Sequence, residues 1–231
     1  MKEPLVLLPG MMCDERLFAR QIASISSERR CVVPSLHGAN TMTGLAMQVL
    51  SEAPQWFALA GLSMGGLVAM ELVRIAPDRV SRLALVDTSP LADLPEMAAR
   101  RERQRQKARS GEMLEVMSNE MIPNYFGEGS SNVRIKDLCL AMAKSLGPDV
   151  FESQSCAIQS RPDQRTTLQS VKIPTLVLCG EEDLLCPVTR HELMHELIPN
   201  SRLVVLQGAG HLPTLEQPQQ TNEELKKWLD M

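Results

Sequence analysis

The segment Gly61-Leu62-Ser63-Met64-Gly65-Gly66 sets one hydroxyl between glycines two positions to either side. It follows the apolar run 56–60 and opens a helical pattern that begins at Met64. A serine on so sharp a strand-to-helix turn is driven toward positive φ, and its neighbours two residues away crowd the chain. Only very small residues fit at 61 and 65. Such a turn lifts the Ser63 hydroxyl above a sheet and aims the first amides of the helix at the same spot, where negative charge can be held. A glycine-rich turn that merely packs helix on strand is the alternative, but strand, turn and helix all agree with the chemical reading.

A serine alone is a weak nucleophile and needs a base, itself oriented by an acid. The chain offers His37, His191, His195 and His211. His211 lies in Gly208-Ala209-Gly210-His211-Leu212-Pro213, just after the last apolar run. Loops at the carboxyl ends of parallel strands meet at one edge of the sheet, so His211 is expected to reach Ser63. The acid is expected after another strand. Asp183, in Gly180-Glu181-Glu182-Asp183, is the first choice, with Glu181 and Glu182 as local rivals. Asp87 is a more distant rival that can instead hold the turn Thr88-Ser89-Pro90. The order Ser63…Asp183…His211 suits a triad of catalytic nucleophile, acid and base.

Other spacings carry rival chemistry. His191-Glu192-Leu193-Met194-His195 is a literal H-E-x-x-H, whose histidines could share a zinc ion as in a metal-dependent protease. No local pattern supplies a third ligand, so a solvated helix face is expected and no metal site is assigned. His37, before Gly38, is expected at the rim of a site at most. Residues 100–109 are strongly basic: either a solvated helix, the favoured reading, or a binder of anionic groups such as coenzyme A phosphates. Met113, Met117 and Met121 recur four apart, and Met142 and Leu146 repeat the spacing. Such stripes pack cores, yet flexible Met side chains also suit an acyl pocket. Met117, Met121, Tyr125 and Phe126 are the candidate substrate contacts.

The elements needed to position these groups are readable. Short apolar runs at 5–8, 31–34, 56–60, 83–86, 175–179 and 203–206 suit strands buried on both faces of a parallel sheet. Amphipathic segments at 17–27, 43–51, 64–75, 188–198 and 218–230 alternate with them, which implies βαβ units. Between 90 and 170 no strand is expected. Helical patterns at 96–110, 113–121, 132–146 and 149–160 are separated by breakers that include Gly111, Gly127, Gly129 and Gly147. Residues 1–89 and 171–231 are therefore expected to form one core and residues 90–170 a helical cap inserted into it.

Composition narrows the function classes. Of 231 residues, 24 are Lys or Arg and 28 Asp or Glu, a net charge of −4 that argues against a dedicated nucleic-acid binder. No apolar stretch approaches the roughly 18 residues of a membrane span, and residues 5–8 are too short for a signal-peptide core. A cytoplasmic protein with its six scattered cysteines reduced is expected.

Taken together, the chain resembles the α/β-hydrolase fold superfamily. The residues that carry the resemblance are Gly61-Leu62-Ser63-Met64-Gly65-Gly66, Gly180-Glu181-Glu182-Asp183 with Pro187, and Gly208-Ala209-Gly210-His211. Leu7-Leu8-Pro9-Gly10-Met11 looks like the oxyanion loop, with Pro9-Gly10 where many members have His-Gly. Ala76-Pro77-Asp78-Arg79-Val80 and Glu216-Gln217-Pro218 resemble links around the nucleophile helix and the last helix. The resemblance implies an α/β fold: a doubly wound, mostly parallel sheet of about six strands, in the order 2-1-3-4-5-6, with an inserted helical cap. It implies a Ser63–His211–Asp183 triad with oxyanion donors at the N–H groups of Met11 and Met64. The activity implied is a serine hydrolase cleaving a small carboxylic ester, thioester or lactone through an acyl-enzyme. Carbon–carbon bond hydrolases, acyltransferases and non-enzymatic ligand receptors share the fold. No cofactor is implied, and the expected partner is a small acyl substrate.

Overall fold

The computed structural model describes residues 2–127 and 132–231. Six strands form one sheet: β1 (Leu5–Leu8), β2 (Cys31–Val32), β3 (Phe57–Leu62), β4 (Val80–Val86), β5 (Thr175–Gly180) and β6 (Ser201–Leu206). Their order is β2-β1-β3-β4-β5-β6 and every pairing is parallel. Every residue of β1, β3 and β5 is buried, which is why these strands read as unbroken apolar runs. Edge strand β6 is half-exposed along most of its length.

Several strand ends differ from the sequence reading: β4 and β6 begin three and two residues earlier, β3 begins one residue later, β5 ends one residue later, and two further differences bear on the backbone. The second strand is two residues long rather than running to Pro34, because a proline nitrogen cannot donate to a ladder. β3 runs two residues further than its apolar run, through Gly61 and Leu62, which pair with Leu8 and Leu85 and with Val86. The strand therefore delivers the chain directly onto Ser63.

Helices α1 (Ala19–Ile25), α2 (Met42–Glu52) and α3 (Met64–Ile75) link the first four strands. The path moves from β1 outward to β2, then back across β1 to β3 and onward. Right-handed crossovers in opposite directions put α1 on one face and α2 and α3 on the other. The reversal leaves a crevice between the carboxyl ends of β1 and β3, the place where such sheets bind ligands.

Between β4 and β5 every described element is helical: α4 (Pro95–Lys107), α5 (Met113–Val116), α6 (Val133–Leu146), α7 (Pro148–Gln159) and α8 (Arg165–Ser170). α4 and α5 are joined by a wide turn in which Gly111 takes φ +94°, so the expected break at Gly111 is a bend in a continuous path. Gly147, at φ +81°, separates α6 from α7. α8 is short and polar, and its sequence carries no apolar stripe that predicts a helix. Gly129 lies outside the described residues. The chain closes with α9 (Val188–Leu197), α10 (Pro213–Glu216) and α11 (Pro218–Leu229); α11 packs on α1. No helix among the described residues is long and apolar enough to cross a membrane. All six cysteines are free thiols.

One buried charge ties the layers together. The Glu71 carboxylate on α3, 1% exposed, accepts from Arg74 at 2.7 and 2.9 Å. It also accepts from Thr43 of α2, and from Gln164 just before α8 at 2.8 Å. Arg74 is the main reason, with Thr43 and Gln164 assisting against burial, that this carboxyl titrates at about 2. A carboxyl depressed in the fold stabilises fully above its unfolded pKa and loses that contribution as pH falls toward the folded value. Wild-type protein should therefore lose stability between pH ~4.5 and ~2. Glu71→Ala should show a shallower slope, since Asp183 and other depressed carboxyls keep their shares. At neutral pH it should be destabilised by about 2 kcal/mol, a melting temperature lower by about 4–8 °C, because Gln164 loses its buried acceptor. Thermal melts of both proteins across this pH range check both effects.

Candidate active site

Ser63 sits at φ +54°, ψ −116°, in the strained conformation that its flanking glycines anticipate. A Cβ on Gly61 would lie 2.2 Å from the Gly65 carbonyl oxygen, and one on Gly65 would lie 2.0 Å from that of Leu8. The turn is held by the Ser63 N–H donating to Val86 O at 2.9 Å and by the Thr88 hydroxyl donating to Ser63 O at 2.8 Å.

The structure brings His211 and Asp183 to this serine. His211 Nε2 is 2.9 Å from Ser63 Oγ, and Nδ1 is 2.8 Å from Asp183 Oδ2. The loop carrying His211 is fastened on both sides. Glu216 accepts the N–H of Gly210 at 3.1 Å and that of Leu212 at 2.9 Å, and Tyr125 O accepts the N–H of His211 itself at 2.9 Å. The Tyr125 ring lies 5.7 Å from the imidazole. Asp183 is buried, and its Oδ1 accepts the N–H groups of Leu185 and Cys186 at 2.8 and 3.0 Å. Burial works to raise this carboxyl. A charged His211, its hydrogen bond and the Cys186 amide outweigh burial and hold Asp183 well below the usual range. Glu181 and Glu182, its sequence rivals, are exposed.

Asp87 is not a turn cap. It is fully buried at φ +42°, and its Oδ1 accepts the Gly180 N–H at 2.9 Å. Burial first, and then the negative charge of Asp183, push its carboxyl well above the usual range. Asp87 thus favours its protonated form far more than an exposed carboxyl does. Its Oδ2 makes no hydrogen bond of normal length among the described residues.

The H-E-x-x-H helix is α9, but His191 is not on a solvated face. It is fully buried, Nε2 accepts the Thr88 N–H at 3.1 Å, and Nδ1 faces Pro187 O at 3.3 Å. Burial lowers its pKa to about 4, so it stays neutral and steadies the loop after β4. With its lone pair on a backbone amide it has none left for a metal shared with His195, which is exposed and bonded to Ser201. Among the described residues one cluster has metal-ligand spacing: one ligand atom each of Asp183, Cys186 and His211 lie within 4.8 Å of one another. There the His211 nitrogens are already engaged, and burial pushes the Cys186 thiol up, away from the thiolate a metal needs.

Ser63 and His211 open into a cavity of about 300 Å³. Met11 and Met64 also line it. The loop after β1 passes beside the serine: a Cβ on Gly10 would lie 3.4 Å from Ser63 Cβ. The Met64 N–H, in the first turn of α3, has no intrahelical partner. That loop is braced at Met12, φ +56°, whose N–H donates to Gln154 Oε1 at 2.9 Å; Gln154 Nε2 in turn donates to Leu36 O.

Of the four expected substrate contacts, Met121 and Tyr125 line the cavity and Met117 and Phe126 do not. Met117 is buried in packing, because the wide turn Met117–Met121 breaks the four-residue stripe. Phe126 is buried with the Lys136 ammonium 5.8 Å from its ring. His37 does not line the cavity either. The basic segment is split rather than solvated throughout. Met97, Arg100, Arg101 and Gln104 face the cavity, whereas Arg103, Gln106, Lys107 and Arg109 are exposed. The spacing i, i+3, i+4, i+7 is the helical signal that separates the two sets. Arg161, Arg190 and Asp93, all on the cavity wall, and the bracing residues Gln154 and Glu216 carry no such signal.

Comparison with known proteins agrees with the fold. The alpha/beta hydrolase family matches residues 5–224. A pimeloyl-[acyl-carrier protein] methyl ester esterase from Aeromonas hydrophila is 25% identical over 97% of this chain and 94% of its own. A thermophilic esterase from Thermogutta terrifontis, solved with malate bound, superposes with a TM-score of 0.91 at 30% identity, covering 99% of this chain and 89% of that one. The enol-lactonase from Burkholderia xenovorans LB400 shares the fold at a TM-score of 0.86 and 24% identity, covering 100% and 92%. A family match across nearly the whole chain, on a six-stranded parallel sheet with a serine on its tightest turn, places the chain in the alpha/beta hydrolase family.

Proposed function

We propose that this ester hydrolase cleaves a small carboxylic ester through an acyl-enzyme on Ser63. The observation that carries the reading is the unbroken hydrogen-bonded series from Ser63 Oγ through His211 to Asp183, opening into the cavity. In this reading Ser63 Oγ attacks the carbonyl carbon while His211 Nε2 takes its proton. Asp183 orients the imidazole and stabilises its charged form. The N–H groups of Met11 and Met64 receive the oxyanion. The tetrahedral intermediate collapses, and His211 passes its proton to the departing alcohol. Water then enters, gives a proton to His211 and attacks the acyl carbon; the acid leaves as Ser63 recovers the proton.

Residues 90–170 serve as the cap that roofs this cavity, and 1–89 with 171–231 as the catalytic core. The names of the relatives, a methyl ester esterase and an esterase, favour an oxygen ester over a thioester; the enol-lactonase supports only the fold. A cytoplasmic setting fits the free thiols.

A fluorophosphonate probe should label wild-type protein stoichiometrically, with turnover of p-nitrophenyl esters. Ser63→Ala should abolish labelling and cut turnover by at least about 10³-fold. Labelling that survives Ser63→Ala, or folded wild type that neither labels nor turns over, would sink the acyl-enzyme. Asp87 gives a finer check. Because burial and the charge of Asp183 favour the protonated acid, Asp87→Asn should keep kcat within about threefold and leave the pH profile in place, whereas Asp87→Ala should lose about tenfold or more. A pH profile that moves in Asp87→Asn would mean that Asp87 ionises in the working enzyme.

A further inference from the structure

Four arginines from three separate parts of the chain converge on the cavity that holds Ser63 and His211. Arg100 and Arg101 come from α4, Arg161 from the segment after α7, and Arg190 from α9. The anionic groups facing them are few. Asp93, 3% exposed, is shared: Oδ2 takes Arg101 Nε at 3.0 Å and Oδ1 takes Arg161 Nη1 at 2.8 Å. Glu120 also lines the cavity, but its carboxylate is already taken by Lys107 at 2.6 Å and Gln104 at 3.2 Å. Among the described residues Arg100 donates a hydrogen bond only to the backbone oxygen of Glu120, and its charge acts on that carboxylate without bonding to it. The Arg190 side chain has neither ion pair nor hydrogen bond among the described residues, and both terminal nitrogens of Arg101 are likewise unpartnered.

A network whose sole purpose is to fasten α4 to the neighbouring loop would match its charges, because an uncompensated cation in a partly buried site is costly. Here one carboxylate serves two guanidiniums and two more stand beside them. Burial lowers Arg161; Asp93 offsets this only in part, and Arg101 adds a smaller repulsion. Excess positive charge held in a catalytic cavity, in groups whose planar forks suit carboxylates, is what a site needs to receive an anion. The remaining wall includes Leu67, Met97, Met121 and Ile158, which suits a short run of methylenes.

We propose that the physiological substrate is a half-ester of a dicarboxylic acid: the ester carbonyl at Ser63, a short methylene chain over the apolar wall, and the free carboxylate among Arg100, Arg101, Arg161 and Arg190. This rests on the ester-hydrolase reading above and narrows it to a substrate class. Hydrolysis consumes one water, releases the alcohol and leaves a dicarboxylate dianion as product.

The test compares monomethyl adipate with dimethyl adipate on wild type, Arg190→Gln, Arg161→Gln and the double variant, each confirmed folded by its melting curve. Arg190→Gln comes first, because its side chain holds nothing else in place. Wild type should favour the half-ester in kcat/KM by at least about tenfold, through KM, and that preference should shrink with added salt. Each single variant should cut the ratio severalfold, and the double variant should bring it close to one. A wild-type ratio of one or less, or a ratio undiminished in the double variant, overturns the proposal. So does a preference for an equally long ester that ends in phosphate. If neither ester turns over and the fluorophosphonate does not label, the hydrolase reading has failed on its own. Calorimetry with adipate dianion on wild type and Arg190→Gln then decides the anion site separately: binding weakened in the variant supports it, and absence of binding overturns it.

Discussion

The site depends on the close approach of α3 to the carboxyl ends of β1 and β3. A methyl group at Gly65 would overlap the Leu8 carbonyl, and one at Gly61 would overlap Gly65. That approach lets the chain leave β3 and enter α3 with a single residue between, so Ser63 has no choice but the strained backbone it adopts. The same approach brings the loop after β1 alongside the serine. The reversal of strand order at β1 and β3 then keeps the crevice above them open. The strained serine, the neighbouring amides and the open crevice thus follow from one packing contact that tolerates no side chain.

The polar groups around this contact are each anchored by backbone, in addition to any bond they make to one another. Asp183 is fixed by two amides of its own loop, Asp87 by the Gly180 amide, Glu216 by the amides flanking His211, and His191 by that of Thr88. Backbone amides cannot titrate or swing away, so burial here sharpens protonation states instead of scattering them. Asp183 is driven to carry charge while Asp87, beneath it, is driven to be neutral. Two acids at the ends of adjacent strands are shifted in opposite directions, Asp183 by the imidazole it faces and Asp87 by burial and the charge of Asp183.

The core was legible because its signals are local. Strands buried on both faces read as apolar runs, and the serine turn and the His211 loop are marked by glycines that the backbone requires. What escaped depends on contacts between segments distant in sequence. Nothing near His191 says that its lone pair meets Thr88, more than a hundred residues away. The Met117–Met121 stripe promised a regular helix, and a wide turn rotated Met117 out of the cavity. Arg161 and Arg190 are single basic residues in unremarkable surroundings, and only folding gathers them beside Arg100 and Arg101. The basic stretch 100–109 was partly legible: its inward and outward faces follow helical spacing, but sequence does not say which face meets a cavity.

The fastening of His211 to Tyr125 O, and of Met12 to Gln154, bears on how this architecture changes over evolutionary time. Both anchors belong to the helices between β4 and β5, yet they brace loops that the core sends to the serine. Those helices are therefore not an interchangeable module. A replacement that reshapes the cavity must still present one carbonyl to the histidine loop and one amide side chain to the loop after β1. New specificities should emerge by exchanging side chains on the inner surface of the existing helices sooner than by substituting the helices wholesale. Lineages that did substitute them would need to have rebuilt both braces by other means.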